Sequence, residues 1–264
     1  MSRGFTIGGT DLIRFASSPI TNYPFTLACW LKVAVVQPGA NQNAMNWYFT
    51  GNQNSNNIGI AVDNTSGKAQ CFVSDNGGTF DTSGEPGAIL SANTWYPIVY
   101  VGTSSTSRTT YIMQGGTLNT GSQTASIVFG GNTNSGTVGT YTGNATTDFG
   151  GSVAEEAFWS AALSTLEVTA YCLGQRAWFI RGKSLVGYWP FDGKASPEPD
   201  LSGSKINGTV TNTTSTFGPP IGLFTPKWPQ FPLPLPPPPP PQSAGVIRIG
   251  AAILPQRRAY MSPP

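Results

Sequence analysis

The sequence predicts an all-β fold: a two-sheet antiparallel sandwich, interrupted by one short helix and followed by an extended proline-rich C-terminal arm. Three observations carry this. Residues 1 to about 213 are short apolar or alternating runs separated by Gly, Asn, Ser and Thr clusters. Only "LSTLEVTAYCLG" carries both helix-start and helix-stop residues. Beyond Phe217 proline takes over, with 15 of the 23 prolines falling between Pro219 and Pro264.

Taken in order, the predicted strands are "FTLACWLKVAVV" (25–36), "NWYFTG" (46–51), "NIGIAVD" (57–63), "AQCFVSD" (69–75), "WYPIVYVG" (95–102), "TTYIMQG" (109–115), "SIVFGG" (126–131), "SVAEEAFWS" (152–160) and "LVGYWPFDG" (185–193). Their number and regular spacing suit a sandwich of two sheets. "NTSGK" and "DNGGT" supply glycines where a hairpin turn needs positive φ. In the helical stretch Ser164 stands three residues before Glu167, which predicts a capping box. A helix of about nine residues follows, with Leu166, Ala170 and Leu173 on one face and Gly174 as its stop. The glycine-rich "GGNTNSGTVGT" (130–140) has no lysine and opens no helix, so it reads as a loop.

After Phe217, "FPLPLPPPPPP" predicts a polyproline II rod. "AGVIRIGAAIL" (244–254) lacks helix caps and reads as a strand, which needs a mate because a lone strand is not stable. The domain expectation is therefore a sandwich over 1–217 and an arm over 218–264.

Composition narrows the function. Charged residues are 10% of the 264-residue chain, against roughly 25% in ordinary soluble domains, which suits a protein covered by neighbours. The net charge is +2 with no basic run, which argues against nucleic-acid binding. Four of the 14 basic residues and none of the 12 acidic ones lie beyond Phe217, so the arm is cationic and the body mildly anionic. Cys29, Cys71 and Cys172 have no metal spacing and read as buried thiols in a reducing compartment. No signal peptide is legible and no apolar run reaches ~18 residues, so the expectation is cytoplasmic synthesis and no membrane partner.

Several segments resemble laminin-G-like, concanavalin-A-like jelly-roll domains. "FTLACWLKV" is similar to their opening strand, and "NTWYPIVYVG" followed by "TTYIMQGG" to their central hairpin. "FGGSVAEEAFWSAALSTLEV" resembles their closing motif, with Gly151, Val153, Glu155, Ala162, Leu163, Ser164 and Glu167 in place. The resemblance covers residues 20–175. "SLVGYWPFDGKASPEPDLSGSKINGTVTNTT" is similar to segments that follow such domains in phage proteins. The resemblance implies a jelly-roll sandwich in a virion protein of a tailed phage, placed on the capsid exterior.

Catalysis finds no set of residues. The glucanases of this fold carry a signature of the E-x-D-x-x-E kind, absent here, and the adjacent Glu155 and Glu156 must point to opposite faces of a strand. Histidine is absent altogether, which removes serine-histidine triads and imidazole ligands. For Ca²⁺, which some relatives bind, Ala154 replaces the acidic residue of the closing motif, and "DNTSG" and "DNGG" read as plain hairpin turns. No cofactor or metal is therefore expected. Glycan binding would use aromatics and Asn amides, for which Trp47, Tyr48, Trp95, Trp159 and the loop "GNQNSNN" (51–57) are candidates; alternation places most of the aromatics in the core.

The arm carries the remaining expectation. Trp228, Phe231, Leu233 and Leu235 are apolar anchors, Val246, Ile247 and Ile249 a strand edge for β-augmentation, and Arg257, Arg258 and Tyr260 a cationic end for an acidic surface. The partners expected are a major capsid protein, other virion proteins or sister copies in a multi-copy assembly, with surface glycans as a further class. The sequence thus predicts a non-enzymatic capsid decoration protein anchored by its arm, with a virion-displayed lectin-like module as the alternative.

Overall fold

The computed structural model describes residues 1–222 except 9, 37–41, 49–55, 64, 83, 130–134, 141–147 and 193–195. The chain divides into two units, Met1–Thr225 and Pro226–Pro264. All ten arm residues named above therefore lie outside the described residues.

The strands in chain order are β1 (Ser2–Phe5), β2 (Leu12–Phe15), β3 (Phe25–Val33), β4 (Gln42–Tyr48), β5 (Asn57–Val62), β6 (Ala69–Ser74), β7 (Phe80–Asp81), β8 (Trp95–Ser104), β9 (Ser107–Gln114), β10 (Thr117–Gln123), β11 (Ser135–Val138) and β12 (Gly151–Trp159). Helix α1 (Thr165–Cys172) and two single-turn 3₁₀ segments, Ala177–Phe179 and Gly182–Ser184, precede β13 (Leu185–Trp189), β14 (Thr209–Thr211) and β15 (Thr214–Thr216). The first sheet runs β10-β9-β8-β3-β12-β1-β15, with β13 also paired to β12; the second runs β14-β2-β11-β4-β5-β6-β7. Every pairing between named strands is antiparallel. The all-β sandwich with one helix is as the sequence predicts.

Between the sheets lies an aromatic core. Phe15, Trp47, Phe158 and Trp189 meet there, with the Phe15 and Trp47 rings stacked at 4.9 Å between centroids and Trp47 and Trp189 stacked at 5.5 Å. A second apolar layer covers the outer face of the first sheet, where Trp30, Val99, Val101 and Trp159 pack beneath Val168, Tyr171 and Cys172 of α1. Trp159 donates its indole N–H to the Ile180 carbonyl at 2.7 Å, and Tyr171 its hydroxyl to the Glu155 carbonyl at 2.6 Å. These bonds orient the covering layer.

Helix α1 starts as its sequence dictates. Ser164 caps it, and Glu167 reaches back to the Ser164 amide at 2.8 Å, completing the capping box. Gly174 follows the C-cap with φ of 89°. The buried face, however, is not the one expected. Leu166 is 83% exposed and Leu173 49%, while Val168, Tyr171 and Cys172 point inward. Both stripes have helical spacing; the tyrosine's area and its bond to Glu155 decide between them.

Three further expectations are corrected. "SIVFGG" is not a strand where it is described: Ile127 and Phe129 enter the core from an irregular segment, held by Ile127 N–H to the Ser105 carbonyl at 3.0 Å. "GGNTNSGTVGT" is not wholly a loop, because its second half is β11, a central strand of the second sheet. Gly136 on β11 is required by packing: a Cβ there would stand 2.3 Å from the Trp47 ring. The first predicted strand ends at Val33, three residues early.

The three cysteines are buried and free, as expected. Asp63 and Asp75 cap their hairpin turns by accepting from backbone amides, Ser66 N–H on the first and Thr79 N–H on the second.

Candidate functional site

Buried polar residues are where chemistry could reside. Arg108 on β9 is buried in a satisfied network. It pairs with Asp81 at 2.7 Å, donates to the Ala125 and Ser105 carbonyls and to Tyr23, and meets the Gln123 side chain at 3.3 Å. With its donors engaged, it ties β7 to the β9–β10 hairpin. Arg3 and Glu198 form a second buried pair at 2.8 Å, joining β1 to the segment before β14. Burial raises the Glu198 carboxyl even against Arg3.

Glu155 and Glu156 sit at a β-bulge where the register of β12 on β3 shifts between Ala154 and Ala157. Glu155 has φ of 53° and lies under the helical layer, accepting from the Tyr188 hydroxyl. Glu156 points the other way, into the inter-sheet core, and accepts from the Trp47 indole at 2.9 Å. Its second oxygen is buried with no partner, and burial pushes its carboxyl up to about 8. The two carboxylates thus lie on opposite sides of the sheet, as alternation predicts, and cannot share one bond of a substrate. Among the described residues no three His, Cys, Asp or Glu gather as metal ligands, and no helix is long and apolar enough to cross a membrane.

The outer face of the second sheet differs. Along β4, Met45 and Trp47 point into the core, so Asn46 points out. Ladder register places one outward residue from each of six strands in a single row: Thr209, Arg14, Thr137, Asn46, Gly59 and Phe72. Adjacent members are one strand apart, ~4.8 Å. Gly59 is a glycine for contact, since a Cβ there would stand 2.3 Å from the Phe72 ring. Phe72 in turn stacks on Phe80 of β7 at 5.5 Å. Beside the row, Ser74 donates to the Asn57 amide oxygen at 2.9 Å, and Gln70 donates to Glu85 at 2.9 Å.

Asn46 is the anomaly of this face. It is 0% exposed, yet neither its amide nitrogen nor its amide oxygen has a hydrogen-bond partner. Nearby, Thr137 spends its hydroxyl on the Thr140 carbonyl at 2.8 Å, while the Thr140 hydroxyl and one Asp148 oxygen are also buried without partners. A buried amide left without partners costs about 1–3 kcal/mol.

Trp47 and Trp159 are core residues, as alternation predicts, and Trp95 is half-buried beneath Lys32, whose ammonium lies 5.2 Å from its ring. Tyr48 ends β4, and most of the Asn-rich loop lies outside the described residues. Asn46 was legible only once β4 had been extended back to Gln42, which fixes its register against β5 and β11.

Residues 7–169 match the family model Laminin_G_3, described as the concanavalin A-like lectin/glucanases superfamily. No curated protein matches the sequence. Among solved structures, one similar chain is a Bacteroides ovatus protein provisionally described as carbohydrate-binding. It shares 19% identity at a TM-score of 0.58, over 84% of this chain and 61% of that one. Another is tailspike protein 2 of an Escherichia coli O157:H7 bacteriophage, 16% identical at a TM-score of 0.53, over 72% of this chain and 26% of the tailspike. The chain thus spans less than two thirds of either neighbour, and at these identities the likeness is one of fold.

Proposed function

The chain belongs to the Laminin_G_3 family of the concanavalin A-like lectin/glucanases superfamily, and on that premise we propose that it is a non-enzymatic, lectin-like module that binds a saccharide on the outer face of its second sheet. The observation that carries this is Asn46, whose amide is buried and unpartnered in the middle of a polar row. An Asn amide offers two donors and an acceptor, the set that adjacent sugar hydroxyls, each donor and acceptor at once, can satisfy. Thr137, its hydroxyl bonded to the Thr140 carbonyl, lies beside it, and the exposed Thr209 ends the same row. The separation of Glu155 from Glu156 across the first sheet supports binding without hydrolysis. The fold shared with the Bacteroides ovatus protein agrees with this reading. A glycan array with the full chain tests it: selective binding is expected, weakened tenfold or more by Asn46→Ala with the melting temperature kept. A flat array, or full binding by that variant, overturns it.

A second reading concerns where the module is displayed. We propose a virion, with capsid decoration by way of the arm, favoured by the shift at Pro219 to a proline-rich, acid-free sequence and by the fold shared with a phage tailspike. Trp228, Phe231, Leu233 and Leu235 anchor the arm, Val246, Ile247 and Ile249 pair with a capsid subunit or a sister copy, and Arg257, Arg258 and Tyr260 meet an acidic surface. Replacing Val246, Ile247 and Ile249 together by Asp in the full chain is expected to abolish incorporation into particles; normal incorporation sinks this reading.

A further inference from the structure

We infer that the saccharide bound on the second sheet is acidic, with its carboxylate held by Arg14; the inference rests on the carbohydrate-binding reading above. Arg14 lies on β2 between Ile13 and Phe15, both 0% exposed in the core, so its side chain projects from the outer face. It is exposed. The ion pairs among the described residues are those of Arg3, Arg108 and Arg181, so Arg14 enters none of them.

Its position in the ladder gives the cation a use. Arg14 stands opposite Thr137, and Thr137 opposite Asn46, which sets the guanidinium's strand two spacings, ~10 Å, from the unpartnered amide. One row thus holds an exposed planar cation followed by buried members: a threonine, a vacant amide and then Gly59 beside an aromatic ring. A neutral sugar would use the amide and leave the guanidinium idle. A sugar bearing a carboxylate uses both, because the guanidinium fork matches a carboxylate bidentately.

The other end of the face carries the opposite sign. Asp148 bridges to Asn43, three residues along β4 from Asn46 and so ~10 Å away, and one of its oxygens is buried without a partner. Asp11, just before β2, has its carboxylate engaged by the Thr6 amide at 2.8 Å. An anionic group is drawn to Arg14 and repelled from Asp148, so the charges set the ligand's direction as well as its class.

The test compares matched ligands on the full chain by titration calorimetry: an oligogalacturonate, its carboxyl-reduced neutral counterpart, and a phosphorylated glycan. The acidic oligosaccharide is expected to bind at least about tenfold tighter than its reduced counterpart, with the preference shrinking as salt rises. Arg14→Gln, its fold checked by melting temperature, is expected to bring the two to parity. Equal binding of the pair by the native chain, or a preference that survives Arg14→Gln, overturns the inference while leaving carbohydrate binding intact. Binding confined to the phosphorylated glycan overturns the carboxylate in favour of phosphate. Absence of binding to any glycan removes the earlier reading and this one together.

Discussion

The outer faces of the two sheets are built from the same kind of strand and finished in opposite ways. That of the first sheet is roofed by α1 and a 3₁₀ turn, which take up several of its polar atoms: Tyr171 bonds the Glu155 carbonyl, Tyr188 the Glu155 carboxylate and Trp159 the Ile180 carbonyl, while the Trp30 indole N–H is left buried without a partner. No named helix packs on that of the second, where Asn46 has no partner at all. The difference teaches where to look for function. A face roofed by a helix is committed to stability, while one without a helix, with both polar atoms of a buried amide unpartnered, is where a ligand would be sought.

The comparison can be broken by mutation. The largest effect is expected beneath the helix. Tyr171→Ala removes a buried ring and leaves the Glu155 carbonyl without its donor, and is expected to cost about 3–5 kcal/mol in chemical denaturation. A loss below 1 kcal/mol would show that the roof is dispensable and dissolve the contrast.

Next comes the core that both sheets share. Glu156 is raised by burial to about 8, well above its unfolded value, so the folded state holds its proton longer than the unfolded chain. The contribution of Glu156 to stability is therefore fullest at acid pH and falls as pH rises from about 4.5 to about 8, by roughly 1.4 kcal/mol per pH unit at the steepest. Glu156→Gln keeps an acceptor for the Trp47 indole and is expected to flatten that slope in denaturation measured across the window. An unchanged slope would assign the dependence to other carboxyls.

A smaller effect belongs to the end of the roof. Ser164→Ala removes the cap that accepts from the Glu167 amide and is expected to cost about 1 kcal/mol, read as a modest drop in melting temperature. The smallest stability effect is expected on the outer face of the second sheet. Asn46→Ala deletes a group that already lacks partners, so stability should hold or rise slightly even as glycan binding is lost. A loss of 2 kcal/mol or more would mean that Asn46 supports the fold after all.

The contrast also explains what the sequence could disclose. Turns written by Asp and Gly, the capping box and the long apolar strands are local signals, and they were legible. Strands β1, β2, β14 and β15 are three or four residues long and exist because the ladder recruits them; "LIRF" or "TST" alone carries no period. The candidate site was the least legible part. Its six members run from Arg14 to Thr209, and nothing but register brings them side by side. The helix face misled for the opposite reason, since two apolar stripes competed and only a tertiary bond told them apart.

The clasp between β1 and β15 has a mechanical consequence. β15 pairs with β1 through Ser2, Arg3 and Gly4, and Arg3 reaches on to Glu198. A pull from beyond Gly222 meets first the Gly222 N–H bond to the Gly174 carbonyl at 3.1 Å and Ile221, packed against the layer under α1. The short β15–β1 ladder comes next, and the buried ion pair on Arg3 stands behind it. A tether that held this module against flow would load the hem of the first sheet, while the row from Thr209 to Phe72 belongs to the other sheet. The hem can slip or fray before the gripping surface is disturbed.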